Sequence, residues 1–219
     1  MRTLLSWSSG KDSAWALHVL RQDPAVELQG LFTVINKKYG RASMHATRLE
    51  LLHRQAEATG LDLKIIELPD RCSDEECDAV MARFVAACRS EGVEAFAFGD
   101  LFLEDIRNYR EKQLRGTGIT PLFPLWKIPT ARLARDMLAA GLQAYVSCVD
   151  LAKLPADLCG KEWSQELLDA IPAECDPCGE NGELHTIVVG GPMYRYSIPV
   201  HVGEIVERRG FAYADIIPD

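Results

Sequence analysis

Six consecutive residues near the start of the chain, Ser8-Ser9-Gly10-Lys11-Asp12-Ser13, bring together hydroxyls, a glycine, a cation and a carboxylate. They follow the apolar run Thr3-Leu4-Leu5-Ser6-Trp7 and precede a helical pattern over residues 13–20, so a strand hands over to a helix at this point. A helix N-terminus offers unpaired N–H groups and partial positive charge, which suits an anion. Gly10 lets the backbone approach phosphate oxygens, the serines add donors, and Lys11 adds charge. A plain strand–helix turn with a serine or aspartate N-cap would use the same residue types. The patterns G-x-x-x-x-G-K-[ST] and G-x-G-x-x-G do not occur, which counts against kinases, GTPases and dinucleotide enzymes.

Further groups able to do chemistry follow. Gly99 and Asp100 end a short apolar run, where ligands of open α/β sheets collect; Asp100 is either a Mg²⁺ or ribose contact or the N-cap of the next helix. Arg107 and Arg110 lie three apart on that helix and either meet phosphate or pair with Glu104 and Glu111. Glu180 and Glu183 flank Asn181 and Gly182, with Gly179 before them and His185 after. They are either acceptors for a cationic substrate group or a solvated turn. Cys175 and Cys178 form one C-x-x-C, only half the ligand set of a structural zinc, and Cys159 and His185 could complete it only at a spacing unlike that of a known finger. The expectation is no stoichiometric zinc and no essential disulfide.

The elements that must position these residues alternate. Strands are expected near residues 3–7, 28–35, 63–68 and 95–98, and helices near 13–20, 46–59, 75–88 and 101–114, with Gly60 closing the second helix. That alternation predicts a parallel sheet with helices on both faces. Gly116, Gly118, Pro121, Pro124 and Pro129 mark an extended connector. Beyond it come helices near 131–140 and 165–171, and strands near 144–149, 184–189, 195–207 and 211–217. The fold class is therefore α/β: a Rossmann-like parallel-sheet domain over residues 1–125, then a smaller α+β domain over 126–219, with the site in the cleft between them.

Composition narrows the function classes. The 219 residues are 47% hydrophobic and 26% charged, with a formal net charge of −8. That balance supports a globular core and disfavours nucleic-acid binding, which wants a basic face. The seven cysteines are spread through the chain, no signal-like segment opens it, and no apolar run approaches the ~20 residues of a membrane span. A cytoplasmic protein with reduced thiols, not attached to a membrane, is expected.

The strand, S-S-G-K-D-S and helix resemble the PP-loop of the N-type ATP pyrophosphatases. Three more segments narrow the resemblance: Phe98-Gly99-Asp100-Leu101-Phe102-Leu103-Glu104-Asp105 with Arg107, Tyr109, Arg110 and Glu111; Pro124-Leu125-Trp126; and Asp176-Pro177-Cys178-Gly179-Glu180-Asn181-Gly182-Glu183-Leu184-His185-Thr186. Together they resemble the diphthine–ammonia ligase family, in the form its bacterial members carry, over nearly the whole chain. The resemblance implies a HUP-type Rossmann-like fold and ATP with Mg²⁺. ATP would be split to AMP and pyrophosphate as a substrate carboxylate is adenylated, and ammonia would then form an amide. It implies that Ser8, Ser9, Gly10, Lys11, Asp12, Ser13, His45, Gly99 and Arg107 hold the nucleotide, with Lys11, Asp12 and Asp100 acting in catalysis. Glu180, Asn181, Glu183 and His185 would meet the co-substrate. That co-substrate is diphthine on elongation factor 2 for an archaeal or eukaryotic member and another carboxylate for a bacterial one. A homodimer, and a nucleotide-binding regulatory protein without turnover, are further expectations compatible with the same residues.

Overall fold

The computed structural model describes residues 1–37, 41, 42, 47–69 and 73–219. The first half builds a sheet from β1 (Arg2–Ser6), β2 (Glu27–Asn36), β3 (Arg41–Ala42), β4 (Leu63–Leu68), β5 (Ala95–Ala97) and β6 (Thr120–Leu122). Five of these run parallel in the order β4-β2-β1-β5-β6, and the two-residue β3 pairs antiparallel with the end of β2. The chain moves outward from β1 to β2 and β4, then crosses to β5 and β6 on the other side. The direction reverses between β1 and β5, and a crevice opens there at the C-terminal ends of the strands.

Helices α1 (Lys11–Leu20), α2 (Leu49–Thr59), α3 (Asp74–Ser90) and α4 (Glu104–Leu114) connect these strands. Local chemistry sets their ends. Gly60 takes a left-handed φ of 72° after α2, as expected from its position, and Ser73 with Glu76 closes a capping box on α3. The extended connector needs one correction. It contains the parallel strand β6, in which Pro121 lies opposite Phe96. A proline is tolerated there because β6 is an edge strand, so the missing N–H is not needed by a further neighbour.

After α5 (Thr130–Ala139), an antiparallel sheet forms from β7 (Gln143–Asp150), β8 (Leu184–Gly190), β9 (Val200–Arg208) and β10 (Phe211–Pro218). Its order is β8-β7-β10-β9. The 3-10 turn Ala156–Leu158 and α6 (Gln165–Ala170) lie between β7 and β8. The α/β parallel sheet followed by a smaller, largely antiparallel unit is thus the architecture read from the sequence. The strand expected from residue 195 begins only at Val200.

Two apolar clusters organise the molecule. Adjacent β1 residues face opposite ways: Leu4 joins Phe32, Ile66, Val85, Phe96 and Phe98, whereas Leu5 joins a larger cluster. That larger cluster runs from Leu17, Leu31 and Leu51 in the first half to Val146, Ile187 and Ala212 in the second. Helix α1 is buried on nearly every side, because it touches both β1 and β8. No helix among the described residues is long and apolar enough to cross a membrane. Cys77 is disulfide-bonded, which corrects the expectation of reduced thiols throughout; composition and spacing carry no signal for that pairing.

Because one apolar cluster joins both sheets, they should unfold together. Urea melts followed by far-ultraviolet circular dichroism and by tryptophan fluorescence should superimpose. Two separated transitions would show that the halves fold independently.

Candidate functional site

Residues 8–13 leave the C-terminal end of β1 at the switch point and enter α1. Ser9 adopts a left-handed φ of 73°, unusual for a residue with a side chain. This turn aims Gly10 and the first turn of α1 upward. Gly10 is the N-cap and supplies no side-chain cap for the first turn, which faces the crevice. Ser8 Oγ donates to Ser13 Oγ at 3.0 Å, and Ser13 Oγ donates to the Gly10 carbonyl at 3.0 Å. The loop arises from the first half but is closed by the second. The Val188 N–H donates to the Ser9 carbonyl at 2.9 Å, and the Lys11 N–H donates to Thr186 Oγ1 at 3.1 Å, both partners lying on β8.

Lys11 is 2% exposed. Its ammonium donates to Asp12 Oδ2 at 2.9 Å and to the Cys178 carbonyl, and it lies over the Trp163 ring. Burial works against this charge, but Asp12, Cys178 and Asp176 outweigh it and the pKa is raised. Lys11 therefore stays protonated, with much of its hydrogen-bonding capacity committed to protein acceptors.

Three carboxylates lie around the crevice. Burial pushes the Asp12 carboxyl up, with Lys11 offsetting part of the shift, and Asp12 Oδ1 is buried without a hydrogen-bond partner. Asp100 follows β5; burial raises its pKa too, Arg110 opposes the shift and Asp12 adds to it. Its Oδ2 lies 3.7 Å from Arg110 Nε, close enough for ionic attraction but too long for a hydrogen bond, and neither atom has another partner. Glu180 comes from the second half. Its Oε1 accepts from the Leu101 N–H at 2.8 Å, and burial, with Asp12 and Asp100 adding repulsion, brings its pKa to about 7. His185 is held neutral, its pKa lowered by burial and by Lys11 to about 4.

These groups line a continuous cleft of about 1110 Å³. One arm is polar, with Ser8, Lys11, Asp12, Ser13, Asp100, Glu180 and His185. The other lies between α3 and α4 and is floored by Phe32, Phe96 and Phe98. Gly99 is needed where the two strand ends meet: a Cβ there would come within 2.9 Å of the Asp12 and Ser13 backbone.

Several expected site residues lie elsewhere. Arg107 pairs with Glu111 at 2.8 Å and stacks on Phe123 and Trp126, so it follows the surface-pair alternative. Arg110, three residues on, is the arginine of this pair that reaches the cleft. Glu183 is buried with its carboxylate turned inward, where Oε1 accepts from the Asp176 N–H and from Asn181 Nδ2, both at 3.1 Å. Asn181 is exposed, and its carbonyl accepts from Lys153 at 2.7 Å. Glu183 and Asn181, expected at the co-substrate, here close the turn that carries Glu180. His45 lies outside the described residues. Cys175 and Cys178 point to different carbonyls, those of Lys153 and Thr130. Thr186 and Gln55 carried no sequence signal, because their roles exist only once the two sheets meet.

The Glu180 carboxyl gives a pH test. Folding raises its pKa from 4.5 to about 7, so the folded chain holds this proton more tightly than the unfolded one. The resulting stability is fully present below pH 4.5 and is lost as pH rises toward 7. Glu180→Gln removes this component, so its urea stability relative to the parent protein should improve steadily across that window. A constant difference would mean that Glu180 titrates like an exposed carboxylate.

Comparison with known proteins places the chain in a family. Residues 1–121 match the diphthamide synthase N-terminal domain and residues 129–216 the diphthamide synthase C-terminal domain. Among curated proteins, the chain is 24% identical over 241 residues to a mouse (Mus musculus) diphthine–ammonia ligase, covering 99% of this chain and 89% of that protein. The rat (Rattus norvegicus) protein of the same name is 24% identical over 240 residues, with the same coverage. The human (Homo sapiens) diphthine–ammonia ligase is 25% identical over 178 residues, covering 78% of this chain and 65% of that protein. With the loop, the switch-point crevice and both domain matches in one chain, this protein belongs to the diphthamide synthase family.

Proposed function

We propose that this chain is an adenylating amide ligase that uses ATP and ammonia. A substrate carboxylate oxygen attacks the α-phosphorus of ATP, the bond to the β-phosphate breaks, and pyrophosphate leaves. Ammonia then attacks the acyl carbon, AMP leaves, and the nitrogen loses a proton to give the amide. The observation that carries this reading is the N-terminus of α1, which has no side-chain cap from its N-cap residue Gly10, opening into a cleft at the switch point beside Asp12 and Asp100. Relatives matched over nearly the whole chain are diphthine–ammonia ligases by name, which supports the same reaction class.

In this reading the pyrophosphate lies on the backbone of residues 10–13, with Ser8 and Ser13 adding hydroxyls and Gly99 keeping the neighbouring loop clear. Lys11 is a positioning residue: its ammonium ties the loop to Cys178. The apolar floor of Phe32 and Phe98 suits a flat base. Glu180 and His185, brought in by the second half, face the position where a co-substrate meets the nucleotide. The co-substrate is a carboxylate, and diphthine is the one named by the relatives.

Phosphates beside Asp12, Asp100 and Glu180 would repel them. A hard divalent cation resolves this, and the buried, unpartnered oxygens Asp12 Oδ1 and Asp100 Oδ2 are the donor type Mg²⁺ takes, so the residues fit. When bound, Mg²⁺ supplies charge neutralisation at the phosphates. Asp12 and Asp100 would hold it, while the α1 backbone and the serines orient the nucleotide.

Two measurements test the reading. Pyrophosphate release with ATP, ammonia and a panel of carboxylates should fall about 100-fold or more in Asp12→Ala and in Ser13→Ala, with folding retained. Unchanged turnover in both would remove the loop from the chemistry, and ATP binding without turnover for any carboxylate would favour a regulatory nucleotide-binding protein. Calorimetric ATP binding should also require Mg²⁺; equal affinity in excess chelator would show that the carboxylates hold no metal.

A further inference from the structure

Gln55 is a fully buried polar side chain on α2, remote in sequence from the loop and from β8. Its amide is used at both ends. Oε1 accepts the Trp7 indole N–H at 2.9 Å, and Nε2 donates to the Val188 carbonyl at 2.7 Å and to the Ser9 carbonyl at 3.2 Å. One acceptor bond and two donor bonds use both amide N–H groups, and the fixed Trp7 donor leaves one amide orientation compatible with all three. The same Ser9 carbonyl also accepts the Val188 N–H, and Ser9 Oγ shares a hydrogen bond with Thr47 Oγ1 at 2.6 Å.

Ser9 is the residue held at a left-handed φ, a conformation that costs energy for any residue with a Cβ and persists only where the surroundings fix it. Those surroundings are Gln55, Val188 and Thr47. We propose that Gln55 is a positioning residue for the phosphate loop: its buried amide fixes the Ser9 turn and thereby aims the first turn of α1 into the cleft. Gln55 itself is absent from the cleft lining, so it acts through Ser9 and Trp7. This proposal rests on the reading that the loop holds ATP.

The alternative is that Gln55 merely helps glue the two sheets together. A second cross-sheet contact separates these roles. Arg48, the residue before α2, grips Asp215 of β10, with Arg48 Nε donating to Asp215 Oδ1 at 2.9 Å. Asp215→Ala loosens the interface without touching Ser9. ATP binding in the presence of Mg²⁺, measured by calorimetry on the full chain, would be compared for Gln55→Leu and Asp215→Ala at a fixed interval below each variant's own melting temperature. Gln55→Leu is expected to bind ATP about tenfold or more weakly, because the Trp7 indole N–H loses its acceptor and the Ser9 and Val188 carbonyls each lose one donor. Asp215→Ala is expected to stay within about twofold of the parent protein. Should Gln55→Leu fail to fold, Trp7→Phe removes the indole donor together with part of the buried ring and should weaken ATP binding by about threefold. Parent-like affinity in Gln55→Leu, or in Trp7→Phe where that variant is needed, overturns the proposal. Equal losses in Gln55→Leu and Asp215→Ala also overturn it. No ATP binding by the parent protein overturns the nucleotide reading, and this proposal falls with it.

Discussion

The Ser9 carbonyl oxygen accepts the Val188 N–H, and much of the molecule depends on that bond. It joins the loop leaving the parallel sheet to a strand of the antiparallel one. Beside it the Lys11 N–H meets Thr186, and the Lys11 ammonium meets the Cys178 carbonyl. A loop that must hold several N–H groups in a fixed array has little entropy to spare, and a preorganised array binds an anion without reorganising. The second half of the chain therefore shapes the proposed nucleotide site as well as lining it. Burial of α1 against both β1 and β8 follows from the same constraint.

Charge is the second organising theme. Lys11 is the cation nearest the loop, yet it is committed to Asp12 and to a backbone carbonyl. Asp12, Asp100 and Glu180 are consequently left in a partly desolvated cleft with their pKa values raised. Desolvated carboxylates in mutual repulsion are poised to accept a counter-cation, and the pair of unpartnered oxygens on Asp12 and Asp100 concentrates that tendency. Arg110, 3.7 Å from Asp100 and stacked over Phe98, is the partial counterweight on the α4 side.

The parallel-sheet half was legible wherever local pattern decides structure. Alternating apolar runs gave β1, β2 and β4, and Gly60 marked the end of α2. The handover from strand to helix at residues 8–13 placed the loop. What was illegible arises from tertiary contact. Pro121 argued against a strand, and only the edge position of β6 makes it acceptable. Arg107 and Arg110 share one helical face in sequence, but Phe123 and Trp126 capture the first and leave the second to the cleft. Glu180 and Glu183 look equivalent around Gly182. The turn directs Glu180 toward the Leu101 N–H and Glu183 into its own interior, a difference that spacing does not encode.

Residues 8–13, held by β8 and set beside the carboxylates at the switch point, are proposed as the phosphate site of an ATP-using enzyme. A crystal structure with Mg²⁺ and a non-hydrolysable ATP analogue tests this assignment most directly. The expected result is the β- and γ-phosphates within hydrogen-bonding distance of backbone N–H groups in the first turn of α1, with the metal on Asp12 or Asp100. Phosphates held elsewhere in the cleft, with the first turn of α1 still empty, would contradict it.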